Sequence, residues 1–380
     1  MAGTDITNLL EIIQRKIDAA DSTSATQDLL YLLSSVRQGD GSSLELYDST
    51  GAFPDLTDSD ADTEMIGYKL DSDRLYFNVG VWKGKALPAA APSGPSYSFQ
   101  GSNFGYDVAG VPTQININKF SFTSDGNASD IGDLTSQRNR QSGQSSSDNG
   151  YASGGTPVTS GSDIDKFSFA SDGNASQVGG LSVQRNNLAG NSSETNGYSA
   201  GGATSDVIDK FPFASDGTAT DVGNLTVAKY GNQAAQNSTE NGYCAGGTPP
   251  PTYLNVIEKY SITSDGNATD VGDLTRTAIY SSGQSSSENG YTSGGITPPF
   301  SNVIDKFPFA SDGNATDVGD LTSVKDQVVG QSSTTHGYVS GGRIPPYTNV
   351  IEKFPFASDA NGTDVGDLTV ARAWGSGNQY

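Results

Sequence analysis

One marker returns six times along this 380-residue chain. The lysine of Ile-Asn-Lys-Phe, Ile-Asp-Lys-Phe, Ile-Glu-Lys-Tyr and Ile-Glu-Lys-Phe stands at positions 119, 166, 210, 259, 306 and 353, with spacings of 47, 44, 49, 47 and 47. A second marker, Gly-Tyr, falls at Tyr106, Tyr151, Tyr198, Tyr243, Tyr291 and Tyr338. It leads into Ala109-Gly110 in the first unit and into paired glycines in the others, from Gly154-Gly155 to Gly341-Gly342. A period of this length holds one supersecondary unit, which buries its faces only against its neighbours. The last unit divides into four apolar runs, "VVGQSS", "HGYVSGG", "NVIEKFPFAS" and "TDVGDLT", separated by turn-forming residues. Four short strands per 40 to 50 residues predict a propeller blade, so the chain is expected to be mainly β.

The two ends indicate how such a ring closes. The final "VARAWGSGNQY" aligns with "SVKDQVVGQSS" and so supplies only the innermost strand of a unit. "GSNFGYDVAGVPTQININKF" supplies the second and third strands of that same unit, so residues 375–380 are expected to pair beside residues 104–110. This predicts six blades over residues 97–380. Seven is the alternative, with "YSFQGS" at 97–102 as a further innermost strand.

The order of these features resembles the kelch repeat. There a double glycine ends the second strand, a variable loop precedes the third, and a basic residue precedes the next innermost strand. The chain departs from kelch in its last strand, where Val318 and Leu321 stand in place of the kelch tryptophan.

The first 85 residues are different material. Ile6, Leu9, Leu10, Ile13 and Ile17, then Leu29, Leu30, Leu33 and Val36, follow helical periodicity. Ser24 to Gln27 fits a capping box for the second helix. "MIGYKL" and "RLYFNVGVW", joined around Asp71-Ser72-Asp73, predict a hairpin, and "ALPAAAPSGPS" at 86–96 reads as a semi-stiff linker. Two short helices and one hairpin make a marginal core for a monomer, so oligomerisation through residues 4–37 is expected, with a trimer favoured. The hairpin segment resembles those of bacteriophage tail-fibre and other virion proteins. The repeats, with their "FPFASDGNATDVGDLT" wording, resemble proteins of marine, cyanophage-type bacteriophages. The resemblance implies a virion appendage made in a host cytoplasm.

Charge and cysteine content narrow the partners. A formal net charge of −22 argues against nucleic-acid binding, which needs clustered Lys and Arg. No stretch approaches the ~20 apolar residues of a membrane span. Cys244 is the only cysteine, which excludes an intramolecular disulfide framework. The first residues lack a basic stretch followed by an apolar one, so no secretory signal is expected.

The segment "SDGNATDVGDLT" at 311–322, close copies of which recur along the chain, admits three chemical readings. Asp312, Asn314, Thr316 and Asp320 alternate oxygen ligands as a calcium loop would; Asn-Ala-Thr is a glycosylation sequon; Asp-Gly is a turn signal. The turn is favoured. Gln177 replaces Asp317, Thr218 replaces Asn314, and the last copy moves its glycine to Gly362, so the calcium pattern is not kept. His336 stands where other units carry Asn149, Asn196, Asn241 and Asn289, which marks it as a turn residue. Cys244 matches Ala152, Ser199, Thr292 and Val339 at a strand-interior position, which predicts a buried, inert thiol. With one histidine and one cysteine, no copper or structural zinc site can be assembled, and no metal or other cofactor is expected.

Two sets of residues are candidate binding groups. Four residues after the Leu of each "DLT"-type segment lie Arg138, Arg185, Lys229, Lys325 and Arg372; the exceptional fourth unit has Ala278 there and Arg276 two residues earlier. They form either a basic ring at one channel mouth or ion pairs with neighbouring carboxylates. The second set lies in the loops after the double glycines, where Tyr253, Phe300 and Tyr347 stand close to prolines. Rings presented this way either stack on sugars or pack blade against blade. The sequence therefore predicts a virion structural protein without catalytic activity. Its N-terminal region would anchor or oligomerise, and its propeller would bind a host surface glycan or another virion protein. The alternatives are a sugar-processing propeller enzyme and an intracellular kelch-type adaptor.

Overall fold

The computed structural model describes residues 99–380, except 113, 158–160, 232–233 and 297, together with four strand backbones before them. The chain divides into two compact units, residues 1–96 and 97–380. In the first, strands Met65–Lys69 and Arg74–Asn78 pair antiparallel, with Ile66 opposite Phe77. Glu45–Ser49 runs parallel to the former and Trp82–Ala86 antiparallel to the latter, giving one four-stranded sheet. The helices expected within 4–37 and the Ala/Pro stretch 87–96 lie outside the described residues.

The second unit is a six-bladed β-propeller. Each blade is a four-stranded antiparallel meander, and the last unit's strands are Val329–Ser332, His336–Ser340, Val350–Pro355 and Thr363–Asp367, the four runs expected from sequence. The ring closes as its ends predict. Ser376–Gln379 from the C-terminus forms the innermost strand of the first blade, with Ser376 opposite Val108 and Gln379 opposite Gly105. Among the described residues there are six blades and no seventh; of the 97–102 stretch, Gly101 donates its N–H to Ser332 O at 2.8 Å.

Three repeated contacts join blade to blade. The first is aromatic. Tyr151 lies 5.6 Å from Phe211 and stacks 4.7 Å from Phe213 of the next blade, and the pattern recurs from Tyr106 against Phe167 and Phe169 to Tyr338 against Phe120 and Phe122. Each such pair adds about 0.5–1.5 kcal/mol beyond the area it buries.

The second is the SDGN turn, which the structure places between the third and outermost strands of every blade. Its aspartate accepts an ion pair from the marker lysine of the preceding blade: Lys119–Asp172, Lys166–Asp216, Lys210–Asp265, Lys259–Asp312, Lys306–Asp359 and Lys353–Asp125, at 2.5 to 3.0 Å. In the five turns that carry an asparagine, its oxygen accepts the backbone N–H of the preceding blade's outermost strand at 3.0 Å, as Asn174 does from Asp133 and Asn127 from Asp367. The turn is thus a clasp between blades. The motif recurs because every junction needs one.

The third contact is the set of basic residues after the DLT segments. Arg138, Arg185, Lys229, Lys325 and Arg372 are 0 to 1% exposed, which corrects the expectation of a basic ring at a channel mouth. Arg138 pairs with Asp165 at 2.5 Å, Arg185 with Asp209 at 2.6 Å, Lys229 with Glu258 and Lys325 with Glu352. Arg276 takes over where Ala278 stands, 3.9 Å from Asp305 and donating to Gly294 O at 2.7 Å. The same carboxylate also holds the threonine of the preceding segment: Thr135 donates its N–H and Oγ1–H to Asp165.

The closing blade divides this double task. Asn118 replaces the aspartate and keeps the threonine contact, accepting the N–H and Oγ1–H of Thr369 at 2.8 Å. The charge moves one strand inward to Asp107, 3.8 Å from Arg372, while Ser340 donates to its other oxygen at 2.7 Å. Burial raises the Asp107 carboxyl above its usual value, against the opposing pull of Arg372 and Ser340.

Candidate functional site

The propeller's two faces differ in how strictly they repeat. On one face lie the SDGN turns and the short turns between the first two strands of each blade. The chain also enters the ring on this side: Phe99 is 8% exposed against the axis, and Gln100 Nε2 donates to Ser285 O and Ser333 O. On the opposite face lie the double-glycine loops and the segments that carry the chain from one blade to the next.

The axis between these faces is tight. A methyl group on Gly143 would sit 2.1 Å from Gly377 O, and one on Gly330 2.3 Å from Gly283 O, so the innermost strands pass too closely for side chains. Two axial cavities of about 60 Å³ each remain, well under the roughly 300 Å³ at which small-molecule pockets begin. A sugar ring does not fit in either cavity.

The double glycines shape the second face. Gly154 and Gly155 have φ of 70° and 113°, values side chains disfavour, and the later pairs repeat this. Two residues after each of the positions occupied by Arg138, Arg185, Lys229, Ala278, Lys325 and Arg372 comes another left-handed residue, and here the repeat stops being a repeat. The six are Arg140, Asn187, Gly231, Tyr280, Gln327 and Trp374, with φ between 57° and 73°. Only one is glycine, although the left-handed conformation costs other residues roughly 1–2 kcal/mol. Bulky side chains kept at a strained backbone position are a mark of function.

These residues form a collar around the axis. Asn187 N–H donates to Arg140 O, Arg140 N–H to Trp374 O, Trp374 N–H to Gln327 O, Gln327 N–H to Tyr280 O and Tyr280 N–H to Gly231 O, all at 2.8 to 3.0 Å. Side chains that differ at all six places are thereby brought together. The Arg140 guanidinium carbon lies 3.3 Å from the centre of the Trp374 ring, and Tyr280 reaches past Gln327 to 5.9 Å from the same ring.

The three loop aromatics expected from sequence lie on this face. Tyr253 is 39% and Tyr347 36% exposed, while Phe300 is half-buried with Arg343 5.4 Å from its ring centre. Arg343 is in turn held by two hydrogen bonds to Asp326, at 3.0 and 2.8 Å. Phe300 therefore braces a loop, and Tyr253 and Tyr347 present their rings. Tyr347 and Tyr280 are near enough to act on Arg140, whose pKa is lowered by burial and pulled back upward by these phenols and that of Tyr230. The sequence reading found the rim but not the collar, whose signal was variation at a fixed offset from an otherwise regular marker.

The remaining candidates are quiet. Cys244 is fully buried and its thiol is pushed up to about 12, chiefly by burial. His336 is half-buried at the first position of its strand rather than in a turn, its Nδ1 2.8 Å from Thr335 Oγ1, and burial lowers its pKa. No family model and no curated protein matches this chain.

Proposed function

We propose that this chain is a binding protein that displays the aromatic face of its propeller to a surface glycan. The observation that carries the proposal is the collar. There a six-fold repeated framework carries a different residue in each blade, and tryptophan, tyrosine and arginine fill three of the six places. Aromatic rings stack on the C–H faces of sugars, and an arginine fixed on a tryptophan offers hydrogen-bond donors to their oxygens. The tight axis favours recognition at the face.

The setting we propose is a virion appendage of a bacteriophage, with residues 1–85 anchoring or oligomerising the chain. It rests on the sequence resemblance. Within the propeller, Phe99 and Gln100 lie on the face opposite the collar. The test is a glycan array probed with the full chain and with Tyr253→Ala/Tyr347→Ala. Loss of signal in the double variant supports the reading, and undiminished binding contradicts it.

A further inference from the structure

We infer that the saccharide recognised by the collar carries an isolated negative charge, a carboxylate or sulfate ester, which is taken by Arg140. The inference rests on the glycan reading of the same face. It starts from a census of cations in residues 97–380. The six marker lysines each hold an aspartate of the next blade. Arg138, Arg185, Lys229, Arg276, Lys325 and Arg372 hold buried carboxylates, and Arg343 holds Asp326. Arg140 alone pairs with no carboxylate among the described residues, in a chain of net charge −22.

Its surroundings favour an anion from outside. The guanidinium lies against Trp374, which fixes its plane and leaves its N–H edge to be used. Arg140 Nε and Trp374 Nε1 are both buried without an acceptor among the described residues. A carboxylate or sulfate has two or more oxygens spaced to accept parallel N–H donors from one guanidinium edge. Tyr280 and Tyr347 then provide ring faces for the sugar that bears the charge.

The net charge sets the class more narrowly. A polyanion extending over the surface meets repulsion from the carboxylates around it, whereas a single charge seated on Arg140 is screened from those farther than ~8–10 Å at physiological salt. The ligand is therefore a saccharide with one acidic unit, such as a uronic acid, a sialic acid or a singly sulfated sugar.

The experiment is an array on which each acidic saccharide is printed beside its neutral counterpart, with polygalacturonate as the densely charged member. It is probed with the full chain, Arg140→Gln and Arg140→Lys. We expect binding confined to singly acidic members, weakened about 10- to 100-fold in Arg140→Gln and less in Arg140→Lys. The melting temperature of Arg140→Gln should stay near that of the parent, because no internal ion pair is lost. Equal binding to neutral partners, a preference for polygalacturonate, or an unchanged signal in Arg140→Gln would overturn the inference and leave the glycan reading standing. Binding to no member of the array would overturn both.

Discussion

The clasps between blades and the collar at the axis are built on the same six-fold plan, yet one is nearly uniform and the other is different at every step. Lys166 with Asp216 has five close equivalents. Arg140 has none; its counterparts are Asn187, Gly231, Tyr280, Gln327 and Trp374. Contacts that hold a ring are needed equally at each junction, so they repeat. A ligand has no six-fold symmetry, so the residues that meet it need not. The comparison teaches that in a repeat protein the positions to examine for function are those where strict spacing persists and residue identity does not.

The uniform side should break hardest where the ring is sewn shut. Deleting residues 375–380 removes the innermost strand of the first blade, and the ring should lose cooperative thermal unfolding altogether. Next come the buried ion pairs. Asp165→Ala strands Arg138 without its partner and should cost about 3–5 kcal/mol by urea titration, while replacing both residues by apolar ones of similar volume should recover most of that loss. The exposed clasps are weakest: Lys166→Ala should cost at most about 1 kcal/mol, because Asp216 is largely in solvent.

Alkaline pH probes all six junctions together. Tyr151 and Tyr338 are pushed up to about 12 and Tyr106, Tyr198, Tyr243 and Tyr291 are raised as well, each mainly by burial. Above pH 10 the unfolded chain gives up these phenolic protons and the folded chain keeps them, so the folded state holds more protons and stability falls as pH rises. For Tyr151 and Tyr338 the loss approaches about 1.4 kcal/mol per pH unit between pH 10 and 12, and the other four contribute with the same sign. Denaturation midpoints measured across that window should drop steeply, and a flat profile would contradict the buried stacking.

Much of this uniform side was legible in the sequence, for a physical reason. A residue required at every junction is written six times, so Lys119 and its copies revealed the blade count and the closure by the tail. The pairing of Arg138 with Asp165 was only half legible, since four-residue spacing gave the basic set but not its depth. The exchange between Asn118 and Asp107 could not be read at all. The two residues lie opposite each other on neighbouring strands, and the compensation is visible only once Arg372 is placed beside Asp107. The collar leaves no recurring residue in the sequence. Its members share a backbone conformation, not a chemistry.

The most direct test of the account sets the two regions against each other in one assay. Glycan binding by the full chain would be compared with Trp374→Ala/Tyr280→Ala at the collar and Lys166→Ala/Lys306→Ala at the clasps, each first shown to melt as a folded protein. The account predicts that the collar variant no longer binds while the clasp variant binds as the parent does. Binding that survives loss of Trp374 and Tyr280 would contradict it.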